Sequence, residues 1–159
     1  MWSAVGDEVT WQRIVSSPMQ RCKAFAQALG ERHALPLSFE HRFREVGMGS
    51  WEGLSPDEVI ARNQAEYQAF YQDPLCNRPA GAEPLEEFGR RVSTALIELL
   101  AERDGEHVLV VAHAGVIRAA LGHVLQAAPS AWYRSRVDNA GFTRFRGTAH
   151  CLRLEFHNR

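Results

Sequence analysis

The sequence predicts an α/β domain, a largely parallel sheet with helices packed on both faces. Three observations carry that prediction. Residues 107–112 (HVLVVA) are an almost unbroken apolar run, which suits a strand covered on both faces, as parallel strands are. Residues 85–103 place Leu85, Phe88, Val92, Leu96 and Leu99 at the period of an amphipathic helix. Strand-like and helix-like stretches alternate along the chain, the pattern of an α/β sheet. At 159 residues, 45% hydrophobic and 23% charged, the chain has the size and mix of a single globular domain.

Taken in order, residues 11–16 (WQRIVS) are short, partly apolar and end in a turn signal, as a strand does. Ser17-Pro18 then opens a helix: Ser17 offers a cap for free N–H groups, and Pro18 suits the first helical position, where no N–H is needed. Cys22, Phe25, Ala26 and Leu29 share one face, and Gly30 is the expected end. Residues 37–43 read as a second strand. Residues 45–54 (EVGMGSWEGL) hold three glycines and read as a shaped loop. Ser55-Pro56, followed by Asp57 and Glu58, starts a helix with acidic side chains at its positive end, running through Tyr71. Residues 73–83, with Pro74, Pro79 and Gly81, form a loop. In the 85–103 helix, Glu86–Arg90 and Glu87–Arg91 pair at i,i+4 on the wet side. Residues 115–125 return to helix, and 141–146 and 151–157 close the fold as a pair of strands.

Composition excludes several classes of function. Lys+Arg total 18 and Asp+Glu 19, a formal charge of −1, so a general affinity for nucleic acid or acidic membranes is not expected and any basic site is local. Cys22, Cys76 and Cys151 are an odd, scattered set with no CxxC, which argues against a disulfide framework or zinc cluster and for a reducing compartment. Residues 108–112 are too short an apolar run to cross a bilayer, and Met1 is not followed by a leader pattern. The expectation is a cytoplasmic protein with neither nucleic acid nor membrane as partner.

In α/β sheets, ligands bind where strands end and helices begin. Two such junctions stand out. Ser16-Ser17-Pro18-Met19-Gln20-Arg21 puts Arg21 one turn into its helix. Ala112-His113-Ala114-Gly115 puts His113 at the end of the core strand, where Gly115 allows close backbone approach and free N–H groups favour an anion. An arginine offers a planar fork to phosphate oxygens, and a histidine donates or holds a proton as charge develops. Each has a plainer reading: a solvated arginine, a hydrogen-bonded core histidine, and, for Glu45, a carboxylate capping its glycine-rich loop. Together they point to an anion site, and composition and periodicity go no further.

Other signatures are missing: no GxSxG, HExxH, Walker loop or GxGxxG after a strand. The seven histidines have no metal spacing; His33 and His41 lie in polar segments, and His123, His150 and His157 have no evident partner. Phe70-Tyr71 and Trp132-Tyr133 read as core or rim aromatics. Arg134/Arg136 and Arg144/Arg146 either flank an anionic substrate or are solvated edges, the plainer reading.

Four ordered segments carry a resemblance: Val15-Ser16-Ser17-Pro18-Met19-Gln20-Arg21-Cys22, residues 43–54 (FREVGMGSWEGL), Pro79-Ala80-Gly81-Ala82-Glu83 and Val110-Val111-Ala112-His113-Ala114-Gly115. In that order they resemble the histidine phosphatase (phosphoglycerate mutase-like) superfamily, from about Trp11 to the C-terminus. The compact length and the WEGL, GAE and RVDNAG segments look most like bacterial alpha-ribazole phosphatases. The resemblance implies a three-layer fold and phosphomonoester hydrolysis of a small metabolite through a phosphohistidine, with no metal or organic cofactor. It implies that Arg21 clamps phosphate and that Glu45 protonates the leaving group and then activates water. His113 would stabilise the transferring group, with Ala114 and Glu83 contributing to substrate binding.

The resemblance also implies a nucleophilic histidine in an Arg-His-Gly motif on a first strand, and no such tripeptide occurs among the 159 residues. Residues 1–9 look like the tail of the helix that should follow. A strand, a loop and a helix, on the order of 40 residues, are expected to be missing from inside the sheet. Three explanations compete: a fragment of a longer enzyme, a degenerate member that binds phosphate without turnover, or a sheet rebuilt by oligomerisation across the gap. Phosphoglycerate mutase-type transfer is an alternative chemistry, against which the short 73–83 loop leans toward hydrolysis.

Overall fold

A computed structural model describes residues 10–103 and 105–159; the expected helix tail at residues 1–9 lies outside them. The elements in chain order are β1 (Arg13–Ser16), α1 (Gln20–His33), β2 (Leu37–Phe39), α2 (Pro56–Gln72), α3 (Leu85–Glu102), β3 (Val108–Val111), α4 (Ala114–Leu125), β4 (Arg144–Thr148) and β5 (Cys151–Phe156). The main sheet has the order β2-β1-β3, all parallel. β4 and β5 form a separate antiparallel hairpin.

The register sorts the core into two faces. Ile14 lies beside Leu109 and Ser16 beside Val111, whereas Val15 lies beside Val110. Because successive side chains alternate across a strand, Ile14, Leu109 and Val111 pack with Cys22, Ala26 and Leu29 of α1. Val15 packs on the other side with Phe88, Val92 and Ala95 of α3 and Val116 and Ala119 of α4. Helices therefore cover both faces of the sheet, as a three-layer α/β fold requires. β3, however, ends the sheet: among the described residues its far edge has no ladder partner.

Several boundaries differ from expectation, each for a tertiary reason. Ser17 does not cap α1; the helix begins at Gln20 with Met19 at the cap and no side-chain bond there. Ser17 instead extends the sheet, donating its N–H to Val111 O at 2.9 Å. Gly30 does not end α1, which runs to His33 before Ala34 turns left-handed (φ 51°) and donates its N–H to Gly30 O. Gly30 is there for packing: a Cβ would lie 3.3 Å from Leu35 O and 3.8 Å from Ile14 Cδ1. The second strand stops at Phe39, and a 3-10 turn at His41–Phe43 buries Phe43.

α2 starts as expected, with a capping box between Ser55 and Glu58. It breaks at Asn63 (φ −158°, ψ 88°), whose Oδ1 caps the second half by accepting Glu66 N–H at 3.1 Å. The loops before and after α2 are stitched together: Ser50 N–H donates to Ala80 O and Glu83 N–H to Gly47 O, both at 2.9 Å. Gly49 makes that crossing possible, since it adopts φ +55° and any Cβ would collide with the backbone at residues 80–82. Among the described residues no helix is long and apolar enough to cross a membrane.

Candidate active site

Three segments meet past the carboxyl ends of β1 and β3. The first is the turn from Ser17 into α1, which carries Arg21 and Cys22. The second is the loop after β2, which carries Glu45. The third is the start of α4, with His113 at its cap (φ −123°, ψ 164°).

His113 is buried, with 5% of its surface exposed. Its Nε2 lies 2.8 Å from Ser17 Oγ, and Cys22 Sγ lies 3.7 Å from Nδ1 and 3.6 Å from Nε2. Burial, followed by the Arg21 and Arg91 guanidiniums, pushes its pKa down to about 4. Glu45 reaches the same point from the other side: Oε2 accepts the Gly115 N–H at 3.3 Å and Oε1 the Val46 N–H at 3.0 Å. Gly115 is needed here, because a Cβ would fall on Glu45 Oε1. Burial raises the Glu45 carboxyl above the ordinary range, although those two N–H groups, Arg21 and Arg118 pull the other way. Arg21 is exposed and has no side-chain hydrogen bond or ion pair among the described residues. It is nonetheless near enough to act on the titration of His113, Glu45 and Cys22.

Arg21, Glu45 and His113, from segments far apart in the chain, therefore share one neighbourhood. Of the α4 amides read as free for an anion, Gly115 N–H is already taken by Glu45. Ala114 N–H, at the first position of the helix, has no acceptor among the described residues.

Glu83 lies one layer back. Its carboxylate accepts from Arg91 Nε at 2.7 Å, Arg91 Nη2 at 2.8 Å and Gly47 N–H at 3.1 Å. Burial opposes its ionisation, but Arg91 and the Gly47 amide outweigh it and hold the carboxyl below the usual range. Its polar atoms are thus bound up in holding the Glu45 loop.

Arg91 corrects an expectation. It does not pair with Glu87 on the wet side. It stacks over Phe88, 4.6 Å from guanidinium carbon to ring centre, and donates to the carbonyls of Arg42 (2.5 Å), Arg44 (2.9 Å) and Glu45 (3.1 Å). Arg78 adds a second clamp, donating to Gly47 O at 3.1 Å and Glu83 O at 2.9 Å. Position gave a clue to Arg91: it follows Phe88 by three and precedes Val92 by one, so it flanks the buried stripe. Ser17 and Cys22 gave none, since their roles depend on which distant segment arrives beside them.

Arg134, Arg136, Arg144 and Arg146 are exposed. Arg136 pairs with Asp138, and Arg144 and Arg146 with Glu155. Among the described residues, no three His, Cys, Asp or Glu side chains gather as a metal site would need. A cleft beside β2 is lined by Glu40, Arg42, Glu98 and Glu102, but Arg42 bridges Glu40 and Glu98 there, and Arg21, Glu45 and His113 do not line it.

The chain is 31% identical over 153 residues to glucosyl-3-phosphoglycerate phosphatase of Mycolicibacterium vanbaalenii, covering 92% of this chain and 64% of that protein. It is 30% identical over 130 residues to a bifunctional protein of Mycobacterium tuberculosis, covering 82% of this chain and 35% of that one. To adenosylcobalamin/alpha-ribazole phosphatase of Escherichia coli it is 22% identical over 130 residues, covering 82% of this chain and 64% of that one. The chain thus spans between about a third and just under two thirds of these relatives. The solved structure of a mycobacterial glucosyl-3-phosphoglycerate phosphatase superposes with a TM-score of 0.81 at 28% identity, covering 93% of this chain and 77% of that one. The pattern of the histidine phosphatase superfamily (branch 1) matches residues 3–159. That match runs through the strand–helix junctions bearing Arg21 and His113 and the loop bearing Glu45, and the chain belongs to the histidine phosphatase superfamily.

Proposed function

We propose that these residues form the phosphate-holding and proton-transferring part of a cytoplasmic phosphomonoesterase acting on a small phosphorylated metabolite. The observation that carries this reading is the convergence of three groups of different chemistry. Among the described residues, Arg21 has no side-chain hydrogen bond or ion pair. His113 is an imidazole held in the interior. Glu45 is a carboxyl whose proton affinity burial has raised. The relatives named for glucosyl-3-phosphoglycerate, phosphoserine and alpha-ribazole phosphatases support a small phosphate ester as substrate.

In the first step a histidine nitrogen attacks phosphorus. The N–P bond forms, the P–O bond to the leaving group breaks, and Glu45 gives its proton to the departing oxygen. Arg21 and His113 hold the transferring phosphoryl oxygens. In the second step Glu45 takes a proton from water as the water oxygen bonds phosphorus, and the N–P bond breaks. Ala114 N–H is a further donor for a phosphoryl oxygen, and Glu83 supports the loop that carries Glu45.

The attacking histidine is read as that of an Arg-His-Gly motif, which these 159 residues lack. The far edge of β3, which has no ladder partner among the described residues, favours completion of the sheet by another strand, from the same protein or from a partner copy. Two assays test the reading. The 159-residue chain should bind orthophosphate yet turn over a general phosphomonoester at less than about one tenth of an intact relative's rate. The chain supplied with an Arg-His-Gly strand should release inorganic phosphate, not an isomerised ester, from a phosphoglycerate. Turnover by the chain alone at the relative's rate, or mutase products, would contradict it.

A further inference from the structure

The hydrogen atoms around His113 can be assigned one by one. Ser17 is fully buried, and its backbone is pinned by the bond to Val111 O. Its hydroxyl has one hydrogen and two lone pairs. One lone pair accepts the Met19 N–H at 3.3 Å. Ser16 Oγ donates to the Ser17 carbonyl at 2.9 Å, not to its hydroxyl. Among the described residues the one acceptor near the Ser17 hydrogen is His113 Nε2, at 2.8 Å. If Nε2 carried its own hydrogen, the Ser17 hydrogen would be left unmatched in the interior, which proteins avoid. Cys22 closes the other possibility. Its thiol donates to Ala112 O at 3.3 Å, so the sulfur offers only lone pairs to the ring. Nε2 is then an acceptor, and the single ring hydrogen of a neutral imidazole sits on Nδ1.

We propose that Ser17 is a positioning residue: its hydroxyl locks His113 in the Nδ1–H tautomer, making Nδ1–H the ring's only donor for a phosphoryl oxygen. The tautomer follows from the hydrogen assignment, and its use toward phosphate rests on the function proposed above. Burial and the charges facing the ring, Arg21 from α1 and Arg91 from α3, hold it in the neutral form near pH 7, so one tautomer can dominate. His113 thus acts as a neutral, directed donor, and the fixed positive charge is left to Arg21.

Long-range 1H–15N correlation spectra of the 159-residue chain, labelled with 15N-histidine, test this at pH 7 with and without orthophosphate. The wild-type spectrum should show a protonated Nδ1 and a bare Nε2 for His113. In Ser17→Ala the Nε2–H form should appear, and orthophosphate should bind about tenfold more weakly. Ser17→Thr, which keeps the hydroxyl, should restore the wild-type tautomer. A wild-type spectrum with Nε2 protonated overturns the proposal without recourse to any variant, as does a tautomer unmoved by Ser17→Ala. If the tautomer responds as expected while orthophosphate binds neither protein, the positioning role stands and the phosphate reading falls.

Discussion

At the scale of single residues, the proton-donor role proposed for Glu45 rests on how its carboxyl is held. Its two oxygens accept from Val46 and Gly115, which fixes the carboxyl in place, while burial keeps its proton affinity high. A proton donor matters most when the leaving group is a poor one. Glu45→Gln, tested in protein that turns over, should therefore lose about 10²–10⁴-fold in kcat for an alkyl phosphate. It should lose far less for an aryl phosphate whose leaving oxygen needs no proton, and orthophosphate affinity should stay nearly unchanged. Equal losses on both esters would remove Glu45 from the acid role. Arg21, Glu45 and His113 could be picked out beforehand because strand–helix junctions and glycine-rich loops are visible in a linear string. Ser17 could be read only as a helix cap, because the Val111 carbonyl and the His113 ring that engage it lie more than ninety positions away.

At the scale of elements, the loop after β2 has no regular structure across Glu45 and depends on α3 for its shape. Arg91 grips three of its carbonyls and Glu83 at once. Arg91→Ala removes all of these and leaves the Glu83 carboxylate without its cation. We expect a loss of about 2 kcal/mol, a fall in Tm of about 4–8 °C, and faster hydrogen exchange at the Gly47 and Glu83 amides. Unchanged exchange at those two amides would show that the clamp does not hold the loop. Amphipathic helices were the most readable elements, since the α3 period is written in residues 85–99. Arg91 was misplaced because pairing with Glu87 at i,i+4 competes locally with a set of carbonyls that only the tertiary fold supplies. Gly30 was misread for the same kind of reason: a local rule for ending helices met a packing constraint from Leu35 and Ile14.

At the scale of the whole molecule, the buried His113 ties stability to pH. Its pKa in the folded chain is about 4, against an ordinary 6.5, so between those values the unfolded chain binds a proton that the folded chain refuses. The stability His113 confers is complete above about pH 6.5 and declines as pH falls toward 4, by up to about 3 kcal/mol. Glu45 acts with the opposite sign, since its raised pKa favours the folded state as acid is added. The Glu83, Glu40 and Glu106 carboxylates, held low by arginines, lose their contribution only at lower pH. The melting temperature of wild type should therefore fall more steeply between pH 6.5 and 4.5 than that of His113→Asn; parallel curves would contradict the assignment. The α/β class and the helices on both faces of the sheet could be read from alternation and apolar runs. The bare far edge of β3 among the described residues could not be read from the strand itself, because Val-Leu-Val-Val reads the same whether one ladder or two flank it; only the resemblance pointed to a missing strand. The most direct measurement of the whole account is a crystal structure of the chain soaked with orthovanadate. One anion bound between the Arg21 guanidinium, the His113 ring and the Ala114 amide, with Glu45 facing an oxygen, is the predicted result; an anion held elsewhere, or an empty site at saturating vanadate, would contradict it.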